Sequence, residues 1–155
     1  MRISKSDFLT ESQKRQIVEI WNAEYPVGLK YSSIQGFEEY LEKLNDVTHY
    51  LIETDQKVVA WLSTFIRESE KWFAMIINSS YQKQGLGGKL LSAAKADYKE
   101  LNGWVVDQDN YLKENGEPYH SPLSFYLKHD FKLMVDCRLE LPQISAVKIY
   151  WQGQN

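Results

Sequence analysis

Apolar residues first recur at helical spacing. Ile17, Ile20 and Trp21, with Glu24 continuing the steps of three and four, predict a helix that Thr10 or Ser12 caps and Pro26 ends. Ile34, Phe37, Leu41 and Leu44 repeat the pattern and predict a second helix over residues 34–44. The period then changes. Residues 48–54 and 57–67 are rich in β-branched and aromatic side chains and meet at Asp55-Gln56. Glu68-Ser69-Glu70 forms the next turn, and residues 71–78 are apolar enough for a strand buried on both faces. Three strands joined this closely predict an antiparallel meander. Leu86, Leu90, Ala94, Tyr98 and Leu101 then form the stripe of a long helix that begins after Gln84 and runs to about Leu101.

The remaining elements are shorter. Arg2–Ser6 reads as an opening strand and Gly103–Asp107 as a later one. The polar stretch Gln108–His120 carries a turn at Asn115-Gly116-Glu117-Pro118, and Ser121-Pro122 opens a short helix. Residues 131–140 and 146–151 close the chain as a pair of strands. The order is strand, two helices, three strands, helix, strand, helix, two strands, which predicts an α/β fold on a mixed sheet. No linker and no repeat interrupts residues 1–155, so a single domain is expected.

Composition narrows the function. The net charge is −3 and the pI about 5.6, which argues against a nucleic-acid partner. Residues 1–70 hold 12 acids against 8 bases and residues 71–155 hold 9 against 10. An acidic front half would suit a cationic substrate and the back half an anionic cofactor. Cys137 is the one cysteine, so no intrachain disulfide forms, and it reads as a small buried hydrophobe. The longest apolar run, residues 72–77, is too short to cross a bilayer. The expectation is a cytoplasmic protein with no membrane partner; a homodimer stays open. The three histidines lack metal-ligand spacing, so no metal is expected.

The chemistry concentrates in Asn78–Lys89, NSSYQKQGLGGK, between a strand and a helix. Glycines there expose backbone N–H groups, and the helix presents its positive end, so the segment predicts an anion site for phosphate or pyrophosphate. It is not a Walker loop, because Lys83 stands where glycine is needed and Leu90 follows Lys89. Nor is it a dinucleotide fingerprint, whose third glycine would fall at Leu90.

Gln82-Lys83-Gln84-Gly85-Leu86-Gly87 resembles the [Arg/Gln]-x-x-Gly-x-[Gly/Ala] motif of the GNAT acyltransferase superfamily. Phe125-Tyr126-Leu127-Lys128-His129-Asp130-Phe131 is similar to that family's Phe-Tyr-x-x-x-Gly-Phe segment. Aspartate replaces the glycine at 130 and can take the same left-handed turn. Tyr119 stands where the family often has an asparagine that holds the cofactor arm. The resemblance implies the GNAT fold, a central mixed and mostly antiparallel sheet flanked by helices. It implies acetyl transfer from acetyl-coenzyme A to a primary amine, with a small cationic acceptor suggested by the acidic, ring-bearing front half that holds Glu24, Tyr25, Tyr31 and Glu38. The alternative is a module that binds acyl-coenzyme A on the same fold without catalysis.

The same resemblance implies a site. Gln82, Lys83, Gln84, Gly85, Leu86, Gly87, Gly88 and Lys89 would hold the pyrophosphate, the amides of Gln84 through Lys89 donating. The strand end Ile76, Ile77 and Asn78 would pair with the pantetheine amides, an N–H near Ile77 serving the thioester oxygen. Tyr126 would border the cofactor and protonate the departing thiolate. Glu24, Asp107 and His120 are the candidate bases, while His49 and His129 read as structural or exposed.

Overall fold

The computed structural model describes residues 2–154. The strands are β1 (Ile3–Ser6), β2 (Asn45–Thr54), β3 (Lys57–Arg67), β4 (Glu70–Ile77), β5 (Glu100–Val106), β6 (Lys132–Glu140) and β7 (Ser145–Gln152). The helices are α1 (Glu11–Glu24), α2 (Ile34–Glu42), α3 (Leu86–Asp97) and α4 (Leu123–Lys128), with single 3-10 turns at Val27–Leu29 and Ser79–Tyr81. The strands form one sheet in the order β1-β2-β3-β4-β5-β7-β6. Every neighbouring pair is antiparallel except β4 and β5, which run parallel. Among the described residues no helix is long and apolar enough to cross a membrane.

Local chemistry sets the boundaries. Thr10 caps α1: its hydroxyl accepts the Gln13 N–H at 3.1 Å, and the Gln13 side chain accepts the Thr10 N–H at 2.9 Å. Asp55 and Gln56, like Glu68 and Ser69, have φ between 51° and 66°, the left-handed pair of a two-residue hairpin turn whose twist matches the strands. The sequence stripe carries α3 too far. The helix stops at Asp97 because Tyr98 turns extended (φ −133°, ψ 157°), and its ring oxygen accepts the Thr64 hydroxyl at 3.1 Å. Leu101 therefore belongs to β5, which starts three residues before the expected Gly103, and it reaches the same core from a strand. Likewise α2 ends at Glu42, because β2 begins already at Asn45.

The alternation of strand side chains divides the core. Tyr50, Ile52, Leu62, Phe73, Leu90 and Ile149 pack on the α3–α4 side. Ile17, Ile20, Phe37, Leu51, Trp61 and Ile76 pack on the α1–α2 side. Within that second layer, the Trp61 indole N–H donates to His49 Nδ1 at 3.1 Å, and burial pushes the His49 imidazole down to about 4. Cys137 is half-buried rather than in the core, since β6 breaks register between Met134 and Arg138.

Candidate active site

A gap opens in the middle of the sheet. β3 and β4 pair along eight residues, but β4 and β5 are bridged only at Trp72 and Asn102, near their starts. Side chains hold the wedge at this closed end: the Trp72 and Trp104 rings lie 5.1 Å apart, and the Phe73 ring occupies the space a Cβ on Gly103 would need, 2.9 Å from it. Beyond it the strands run unpaired toward Ile77 and Val106.

Hydrogen-bond parity fixes what β4 offers the gap. The Asn78 N–H donates to the Val59 carbonyl at 2.9 Å, so alternate residues Ile76, Ala74 and Trp72 bond to β3. Met75 and Ile77 turn their N–H and C=O groups the other way, into the gap. This corrects the expected strand end: Ile76 and Asn78 face β3, and Met75 joins Ile77 in their place. The Met75 carbonyl accepts the Tyr25 hydroxyl at 3.0 Å, and the Ile77 carbonyl accepts the Gln82 amide at 3.1 Å. The two N–H groups are left facing the opening.

The glycine loop lies at the open end. Lys83 (φ 66°) and Gly85 (φ 78°) take left-handed conformations, which turn successive N–H groups to one side. Among the described residues the N–H groups of Gln84, Gly85, Leu86, Gly87 and Gly88 have no hydrogen-bond partner, and that of Lys89 makes the first helical bond, to Gly85, at 3.1 Å. Five free donors at the start of a 12-residue helix form an anion cradle, with exposed Lys83 and Lys89 beside it. Gly87 has a different reason from the one the motif suggests. A Cβ there would meet Phe125 Cζ at 2.8 Å and Ile77 Cδ1 at 3.0 Å, so its bareness lets α3 close on α4.

Three tyrosines converge behind the gap. Tyr126 is 6% exposed, and its hydroxyl makes no hydrogen bond among the described residues. Burial raises it above the ordinary phenol value, and the neighbouring Tyr119 adds to the rise. Tyr119 is raised by burial and by the Asp109 charge, and Tyr25 by burial and by both Tyr119 and Tyr126. Phe125 and Phe131 pack edge-on against Tyr126 at 5.2 and 5.5 Å, as core rings. Asp130 closes α4 in the left-handed conformation expected of it (φ 70°), while Ser121 accepts the Leu123 N–H at 3.2 Å and donates to the Val106 carbonyl at 2.6 Å.

The candidate bases are all engaged or exposed. Glu24 accepts the Ser79 N–H at 2.7 Å and pairs with Lys113 at 3.1 Å. Asp107 is gripped by two nitrogens of Arg138, both at 3.0 Å, which holds its carboxyl below the usual range. His120 is exposed, and His129 lies against Gly88 at the loop. Of the acids in the front half named above, Glu38 also has a partner, Lys14, at 3.3 Å. Sequence reading missed Met75 and the reach of Tyr25 into the gap. The first was accessible from strand periodicity, two residues before Ile77; the second depends on how α1 crosses the sheet.

The arrangement sets two β4 N–H groups toward the gap, a row of loop N–H groups at its open end and a buried phenol behind it. The family model for the acetyltransferase (GNAT) domain matches residues 45–133. No curated protein matches the sequence. Among solved structures, the aminoglycoside 6'-N-acetyltransferase from Enterococcus faecium is similar at 15% identity and TM-score 0.69, over 98% of this chain and 97% of that one. The PaiA N-acetyltransferase from Thermoplasma acidophilum, in complex with coenzyme A, is similar at 14% identity and TM-score 0.63, over 98% and 99%. The ribosomal-protein-S18-alanine N-acetyltransferase from Escherichia coli is similar at 14% identity and TM-score 0.64, over 99% and 96%. At these identities the structures share the fold, and the family model spans more than half of the residues: the chain belongs to the GNAT acetyltransferase family.

Proposed function

We propose that this chain, acting as one cytoplasmic domain over residues 1–155, moves an acetyl group from acetyl-coenzyme A to the primary amine of a small cationic acceptor. The observation that carries the reading is the pair of Met75 and Ile77 N–H groups facing the gap and leading to five partnerless N–H groups at Gln84–Gly88. A pantetheine arm adds to that edge as a strand would, and its pyrophosphate rests on the loop, with Lys83 and Lys89 nearby. The bound coenzyme A structure of a similar fold and the aminoglycoside substrates named for another support the cofactor and the amine acceptor.

The chemistry follows from charge. The amine must lose its proton before it attacks, since a lysine-like amine has a pKa of about 10. Glu24 is held against the loop after β4 by the Ser79 N–H at 2.7 Å, so we assign that proton to it through water. The N–H of Met75 or Ile77 stabilises the developing oxyanion. Tyr126, kept protonated by burial, donates to the leaving thiolate. The test is release of free thiol from acetyl-coenzyme A over a panel of amines, alcohols and acids, with calorimetry of coenzyme A binding alongside. Amine-dependent release supports the reading; no binding of coenzyme A, or transfer only to hydroxyl acceptors, overturns it.

A further inference from the structure

An imidazole stands at the anion cradle. A Cβ on Gly88 would lie 3.0 Å from His129 Cε1 and 3.6 Å from its Nε2, so the ring rests on the last of the five residues with free N–H groups. Contacts on several sides fix it there. The Phe125 ring packs against it at 4.4 Å. The His129 N–H donates to the Tyr126 carbonyl at 3.0 Å, and its carbonyl accepts the Lys95 ammonium at 2.6 Å. Lys95 is itself held over the Phe131 and Trp151 rings, at 5.4 and 5.0 Å. The backbone of His129 is thus engaged, whereas among the described residues neither ring nitrogen has a hydrogen-bond partner. The residue is only half-buried, so the ring can exchange a proton with solvent.

The charges around the ring are mostly positive. Lys95 lies on α3, Lys89 follows Gly88, Lys128 precedes His129 on α4, and Lys83 lies in the loop; the one acid beside it in the chain is Asp130. Tyr126, on the same short helix, stays neutral because burial raises it. The lysines oppose a further positive charge on the ring, and a phosphate group favours it. We propose that His129 is a further cofactor-binding residue, and that protonation of its imidazole adds a charge to the pyrophosphate site, so coenzyme A binds more tightly as pH falls. The proposal rests on the acetyl-coenzyme A reading above. Histidine is the side chain that gains its charge between about pH 8 and 5. A charged ring N–H makes a charge-assisted bond to a phosphate oxygen, and the loop amides carry no charge to titrate. The amides therefore set the basal affinity and His129 modulates it. Linkage requires the reverse as well: bound cofactor favours the protonated ring.

Dephospho-coenzyme A is the probe, because its pyrophosphate diester keeps its charge across the range in which a phosphate monoester titrates, near about pH 6. Calorimetry at about pH 5.5 and 8 should show about fivefold tighter binding at the lower pH, the upper end for an exposed ion pair. His129→Asn keeps a polar side chain that cannot charge, and should cut that change to less than about twofold. His129→Lys is charged at both pH values, so it should also flatten the profile, at higher affinity than His129→Asn. His49 and His120 remain in every variant, so the difference reports the ring at 129. Equal affinity of the unaltered protein at the two pH values overturns the proposal. So does a pH change that persists undiminished in His129→Asn. Failure of the unaltered protein to bind coenzyme A at either pH is a different result, which removes the acetyl-transfer reading and this one with it.

Discussion

The Tyr25 hydroxyl donates to the Met75 carbonyl at 3.0 Å, across the gap between the end of α1 and the free edge of β4. The bond places a phenol oxygen beside the backbone that would carry the thioester. Burial, reinforced by Tyr119 and Tyr126, raises this phenol well above its ordinary value, so it stays neutral and offers lone pairs, not a base. An attacking amine can donate to it. Tyr25→Phe should lower kcat/KM for the amine by about tenfold, the usual worth of one hydrogen bond. The coenzyme A affinity should stay within about twofold, because the Ile77 edge and the loop are untouched. Calorimetry and initial rates separate the two; altered cofactor affinity with intact amine kinetics would assign Tyr25 to the cofactor arm.

Tyr126→Phe removes a hydroxyl with no protein partner and keeps the ring between Phe73, Phe125 and Phe131. Stability and coenzyme A affinity should therefore hold. Turnover should fall by roughly 10²–10⁴-fold, the range for a positioned proton donor. Single-turnover chemistry is the measurement, since slow product release can mask the loss in steady state. Equal rates would make Tyr126 a packing residue.

Gly87 is predicted to be a stability position. Adding a methyl group sets a Cβ 2.8 Å from Phe125 Cζ, closer than real Cβ contacts come. Gly87→Ala should destabilise the fold by about 1–3 kcal/mol, as overpacking does. Combining it with Phe125→Leu should recover part of that loss, because the obstructing ring edge is gone. Urea unfolding of both single variants and the double variant gives the coupling. Purely additive effects would show that the two residues do not meet.

Much of this was readable before any coordinates. The turns at Asp55-Gln56 and Glu68-Ser69, a cap on α1 at Thr10 or Ser12, the loop between β4 and α3, and the left-handed Asp130 follow from local chemistry that the residue types state directly. What failed was local too: Leu101 continues a helical spacing but reaches the core from β5, and periodicity alone does not separate those cases. The site was half legible. Motif residues pointed to the loop and to Tyr126 as candidates. The direction of each β4 amide depends on register with β3, which only the Asn78–Val59 bond reveals. Neutralisation of Glu24 by Lys113 joins residues 89 positions apart, beyond any pattern in the chain.

Buried His49 gives the fold an acid sensitivity in a defined window. Its Nδ1 accepts the Trp61 indole N–H at 3.1 Å, so the neutral ring is the form the core requires. Burial lowers its pKa to about 4, with the Asp7 charge opposing, against about 6.5 in the unfolded chain. Below about 6.5 the unfolded chain takes a proton that the folded one refuses, so stability is complete above that pH and falls as pH drops toward about 4. The full loss is about 3 kcal/mol at about 1.4 kcal/mol per unit. Asp97, Asp107 and Glu140 are held below ordinary carboxylate values, so their contributions fade at lower pH than most of this window. His49→Gln keeps an acceptor for Trp61 and removes the titration. Urea unfolding at about pH 7.5 and 5 should show a clear loss for the unaltered protein and a much smaller one for the variant. Parallel losses in both would place the acid sensitivity on another group.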